Sequence, residues 1–181
     1  MSAQSYGGLE APVETLGLVF NAPSKHLVAH VLTRASADFP GYRRLFHRHV
    51  TSPLYCPVFV EDDALEFDEP MSSSDRPYVY FLVRRATSPA RNAFNWSSIS
   101  RIVLPSGNLE PITAKLAVPE EYETGWVSRL LYVHPDALSV TATIGLLPKP
   151  ESGGKVRYFV AEVEGGSGRT TILAPLRHPS L

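Results

Sequence analysis

Apolar residues in this chain gather in short runs, and most runs alternate with polar positions in the period of two that a half-buried strand requires. LGLVF (Leu16–Phe20) and HLVAHVL (His26–Leu32) flank Asn21-Ala22-Pro23-Ser24-Lys25, whose turn-forming residues predict a strand–turn–strand unit. In the stretch that follows, Pro40-Gly41 breaks the pattern, and the one short helix of the chain is predicted after it, from Tyr42 to Val50. Strand signals then dominate. In YVYFLVRR (Tyr78–Arg85), Tyr78, Tyr80 and Leu82 fall on one face and Val79, Phe81 and Val83 on the other. Both faces are apolar, so this strand is expected to be central and covered on two sides. ISRIVL (Ile99–Leu104) runs into a turn at Pro105–Asn108, and KVRYFVAEV (Lys155–Val163) into another at Glu164–Gly168, before TTIL. Ser88–Asn95, Val118–Gly125 and Lys149–Gly154 read as loops, with Trp96 and Trp126 preceding strands and plugging sheet ends.

Two stretches echo each other. Val58-Phe59-Val60, Asp63-Ala64-Leu65 and Phe67 match Leu131-Tyr132-Val133, Asp136-Ala137-Leu138 and Val140. Further on, Tyr80-Phe81-Leu82 matches Tyr158-Phe159-Val160, and Val103-Leu104 matches Ile172-Leu173. The spacing drifts from pair to pair, as loops of unequal length between common strands would make it do. LLYVHPDALSVTA resembles the strand–PDG–strand corner of TolB-like and WD40-like propeller repeats, with Ala137 where those repeats usually carry Gly. ISRIVLPSGNLEPIT is similar to their outer hairpin. The resemblance spans Leu54 to Pro175 and lacks the Gly-His and Trp-Asp signatures of WD40 repeats. It implies four-stranded blades packed face to face. The expected fold is therefore mainly β, with antiparallel, propeller-like sheets and one short helix in the N-terminal third. Residues 1–53 would form a strand pair and the helix, 54–117 a first blade-like unit and 118–181 a second, all in one domain.

Composition narrows the function classes. Sixteen prolines and twelve glycines in 181 residues punctuate the chain too often for long helices. A net charge of -1 gives no pull toward nucleic acid or anionic membrane, and no apolar run reaches the ~20 residues of a membrane-spanning helix. The single cysteine, Cys56, allows no intrachain disulfide, and the first residues lack the basic and apolar regions of a secretion signal. A cytoplasmic location is expected.

Candidate chemistry is sparse. His47 and His49 would share a face on a strand, with Cys56 returning to close a zinc site. On the helix predicted there, the two rings would point about 200° apart, so site and element conflict. Surface or partly buried histidines account for the same residues. Between Glu61 and Asp75 lie seven carboxylates with no base among them; without a central glycine they do not form a calcium loop of the EF-hand type. Glu61, Asp62 and Asp63 read instead as a solvated interaction rim, facing Arg43 and Arg44 within the fold or across a dimer. No G-x-S-x-G elbow is present, EGGSGR has no phosphate-loop Lys-Ser/Thr, and Cys56 in its apolar setting is expected to be a buried thiol.

The expectation is a non-catalytic interaction or scaffold protein that binds another protein or itself as a homodimer. The alternative is a metal-dependent hydrolase or lyase with His47 and His49 as ligands, joined by Cys56 or by Asp62 and Asp63. An inhibitor-type partner using the Glu61–Glu69 run is a third possibility.

Overall fold

The computed structural model describes residues 13–33, 42–58, 65–85, 97–113, 116–135 and 138–176. These form twelve strands in three antiparallel four-stranded sheets. The N-terminal sheet contains β1 (Val13–Asn21), β2 (His26–Thr33), β3 (Tyr42–His49) and the two-residue β4 (Cys56–Pro57). The middle sheet contains β5 (Leu65–Ser72), β6 (Tyr78–Arg85), β7 (Ser97–Val103) and β8 (Asn108–Thr113). The C-terminal sheet contains β9 (Tyr122–Val133), β10 (Ser139–Pro148), β11 (Arg157–Glu164) and β12 (Thr170–Leu176). In each sheet the strands are neighbours in chain order, which suits the short turns between them.

The predicted helix at Tyr42–Val50 is instead strand β3. Leu45, His47 and His49 take one face and Arg44, Phe46 and Arg48 the other, so the period is two. The arginines and histidines concealed it, because a buried histidine looks polar in a sequence. The one helical element among the described residues is a 3-10 turn, Pro150–Ser152.

β6 explains how the sheets stack. Val79, Phe81 and Val83 face the N-terminal sheet and pack with Val28, Leu45, Val58, Phe67 and Ile102. Tyr80 and Leu82 face the C-terminal sheet and pack with Ile99, Val127, Leu130, Val140 and Ile144. The two apolar faces of YVYFLV thus serve two separate cores. β5 lies against β1, β2 and β3, and β9 lies against β5, β6 and β7, so the first strand of the middle and of the C-terminal sheet lies against the sheet before it. The approach is close at Gly17, where a Cβ would sit 3.3 Å from the Pro70 ring.

β9 departs from the predicted pattern. From Val127 onward its buried residues, Val127, Leu130 and Val133, are three apart, because register shifts leave Ser128 and Leu131 without partners on β10. Bulges bend and twist a strand, which suits one laid across three others. β9 also begins at Tyr122, inside the predicted loop Val118–Gly125. Trp126 lies within β9 rather than before it, on the row containing Gly145 and Tyr158. A Cβ on Gly145 would come 2.5 Å from the indole, whose neighbour Tyr158 meets it edge-on at 6.3 Å. Trp96 and both Asp corners of the sequence echo lie outside the described residues.

The strands carrying the echo are out of phase with the sheets. Its first copy begins at Val58, just after β4 of the N-terminal sheet, and continues through β5, β6 and β7 of the middle one. Its second copy lies wholly in β9 to β12. The same local hairpin rhythm therefore serves different places in the two sheets. Three small antiparallel sheets are what the chain builds.

Candidate functional site

Register brings histidines together at one end of the N-terminal sheet. His26 opens β2 and pairs with His49 at the end of β3, while His47 lies two residues back on the same face. The His26 ring centroid is 5.2 Å from that of His49 and 5.8 Å from that of His47. His26 Nδ1 donates to the Ser24 carbonyl oxygen at 2.8 Å, which leaves its Nε2 as an acceptor. His49 Nδ1 accepts from the Thr51 backbone N–H at 3.3 Å and lies 2.7 Å from the Thr51 hydroxyl. His47 is only 7% exposed, and its buried Nδ1 has no hydrogen-bond partner among the described residues. Gly107, in the turn between β7 and β8, presses against the other edge of that ring. A Cβ there would collide with His47 Nε2, and the glycine adopts φ 75°. Burial lowers the His47 pKa below the ordinary histidine value, and the nearby His26 lowers it further.

His47 and His49 therefore share a strand face, as the zinc reading requires. Cys56 pairs with His47 in register, yet it is exposed on the short edge strand β4 rather than buried as expected. Among the described residues, no three His, Cys, Asp or Glu side chains are gathered so as to hold a metal ion. Glu61, Asp62 and Asp63 lie outside the described residues, as does the Arg43 side chain. Arg44 belongs to the opposite face of β3 from the histidines. The signal that could have added His26 was its position: it opens one strand just where an antiparallel neighbour would end.

Beside the histidines, Asn21 pairs with His26 and is fully buried. Its Nδ2 lies within 2.9–3.3 Å of Ser72 Oγ and of the carbonyl oxygens of Ser73, Arg76 and Tyr78. Its Oδ1 accepts from the Ser24 backbone N–H and hydroxyl. One amide thus ties the β1–β2 turn to the β5–β6 turn across two sheets. The serines here serve structure: Ser72 donates to the Ser73 carbonyl, and Ser73 Oγ accepts from the Arg76 N–H.

The opposite face of the N-terminal sheet has a different character. Leu18, Ala29, Phe46 and Pro57 form one continuous row across its four strands, and Phe20, Leu27 and Arg48 form the next. Leu18 and Phe20 are 55% and 51% exposed, and Leu54 and Tyr55 at the β4 end are exposed as well. The Arg48 guanidinium lies 5.0 Å over the Tyr55 ring and donates to the Ser52 carbonyl oxygen at 2.7 Å. A hollow of about 350 Å³ lies elsewhere, lined by Leu116, Val118, Glu123, Gly125 and Ser167. Among the described residues Glu123 is the one ionisable group on its wall. EGGSGR is the β11–β12 turn, with Gly166 and Gly168 at positive φ. No helix among the described residues is long and apolar enough to cross a membrane. Comparison with protein-family models, with curated proteins and with solved structures yields no match.

Proposed function

We propose that this protein is a non-catalytic interaction protein and that the outer face of its N-terminal sheet receives another protein chain. The observation that carries this reading is the apolar row Leu18–Ala29–Phe46–Pro57, widened by Phe20 and Leu27. Contiguous apolar surface rimmed by polar groups marks interaction sites. The charged side chains of this face on β3 are Arg44 and Arg48. The partner that fits is a segment with apolar anchors and flanking carboxylates, the charges steering encounter and the apolar row holding the complex. A closed propeller would cover this outer face with another blade, and a second copy of the chain would do so in a homodimer. Those arrangements are rival occupants of the same surface.

The double substitution Leu18→Asp, Phe20→Asp tests the reading. Both side chains are half exposed, so folding stability should fall by no more than about 1 kcal/mol. Capture of a protein partner by the immobilised chain should drop at least about tenfold, as expected for losing buried apolar anchors. Unchanged capture by a folded double variant would remove this face from the function. A wild-type dimer that the variant turns into a monomer would identify the occupant as a second copy.

A further inference from the structure

We infer that His26 and His49 form a two-imidazole clamp for a zinc ion, held across β2 and β3 at the end of the N-terminal sheet.

Strand register sets the pair. His26 and His49 are directly opposed on antiparallel neighbours, where side chains on one face start about 4.5–5.5 Å apart. Their ring centroids are 5.2 Å apart. Two imidazoles on one tetrahedral ion, with zinc–nitrogen bonds of about 2.0–2.1 Å, have centroids about 5 Å apart. The rings therefore need little movement to share an ion. His47 and His49 lie two residues apart along one strand, about 6.6 Å at the backbone. The His47 ring is also wedged against Gly107. Cys56 is opposed to His47, not to His49. Because no three metal-binding side chains are gathered among the described residues, the clamp is a pair, with water in the remaining positions.

Both rings are held from behind. His26 Nδ1 donates to the Ser24 carbonyl oxygen, so the lone pair of this ring is on Nε2. His49 Nδ1 lies 2.7 Å from the Thr51 hydroxyl. An N–H at that nitrogen, donating to the hydroxyl, leaves the His49 Nε2 lone pair for the metal. Zinc thus selects one tautomer of His49, moving a proton within the ring and releasing none. Metal-binding histidines commonly donate their other ring N–H in this way, which fixes the ring's orientation. The backbone braces the pair as well: the Val50 N–H donates to the Lys25 carbonyl oxygen beside it, at 2.9 Å. His26 is buried and His49 partly open, so the ion enters from the His49 side. The clamp lies on the inward face of β3, opposite the Phe46 and Arg48 face proposed for docking.

Zinc titration of the full chain, stripped of metal by chelator and followed by calorimetry at pH 7.5, tests the clamp. The expected result is one zinc ion per chain. With free zinc at one hundred times the measured Kd, the unfolding equilibrium should shift about a hundredfold toward the folded state. His49→Gln should weaken binding at least about tenfold, while Cys56→Ser and His134→Gln leave it unchanged. His26→Gln should act as His49→Gln does. If that buried substitution does not fold, the imidazole NMR signals of the wild-type chain decide, with those of His26 and His49 expected to shift as zinc is added. No uptake with zinc at about 1 mM, uptake that survives His49→Gln, loss through Cys56→Ser alone, or unmoved His26 and His49 signals would overturn the clamp.

Discussion

A single side chain, Asn21, does more to join two sheets than any sequence motif would suggest. Its amide has two hydrogens, and four acceptors on the β5–β6 connection share them, while its oxygen serves Ser24. Removing it takes one donor from the carbonyls of Ser73, Arg76 and Tyr78, each of which keeps a second, and deprives the Ser24 N–H and hydroxyl of their acceptor; several hydrogen bonds are lost together in a buried place. Asn21→Ala should lower stability by about 2–4 kcal/mol in urea unfolding. Asn21→Asp should be no better, because a carboxylate would face the carbonyl oxygens of Ser73, Arg76 and Tyr78. In the sequence Asn21 reads as a turn residue and nothing else; its long-range partners are fixed only by how two turns meet. Arg101 is legible only after the fact as well. It bridges to Glu110 at 2.9 Å and lies 4.2 Å over the Tyr78 ring. Burial works to lower its pKa, but Tyr80 and Glu110 outweigh that effect and keep the guanidinium ionised.

Strands were legible where side chains announced their environment. YVYFLV displays two apolar faces, and the structure uses both, one for each core. β3 is hidden in the sequence because its inward face carries two histidines, of which His47 is buried beside His26 and His49 is only partly covered. In β9 the bulges at Ser128 and Leu131 replace the two-residue rhythm with a spacing of three, and its first residues fall in the predicted loop Val118–Gly125. The histidine corner was half legible: two of its three rings stand in one motif, and the third arrives only through strand register. Trp126 over Gly145 belongs to this scale too. Alanine at 145 would drive a methyl group into the indole, so Gly145→Ala should cost about 1–3 kcal/mol. Near-UV circular dichroism should show the loss of the Trp126–Tyr158 edge contact. An unchanged spectrum and midpoint would mean that the indole moves aside freely.

At the scale of the molecule, the middle sheet has a core on each face, one shared with the N-terminal sheet and one with the C-terminal sheet. The free edge strand β12 is blunted against pairing by a bulge at Leu173 and by Pro175, both common protections of a sheet edge. The outer face of the N-terminal sheet leaves Leu18 and Phe20 half exposed beside the buried Ala29, and the proposed docking site lies there rather than at the histidine corner beneath. The most direct test is site-specific photo-crosslinking in cells, with a benzophenone amino acid at Phe20 or, as a control, at Tyr132. Both residues are about half exposed, but they belong to different sheets. The prediction is a discrete protein adduct from position 20 and none from position 132. Adducts from both positions alike, or from neither, would contradict the assignment of the N-terminal sheet as the docking surface.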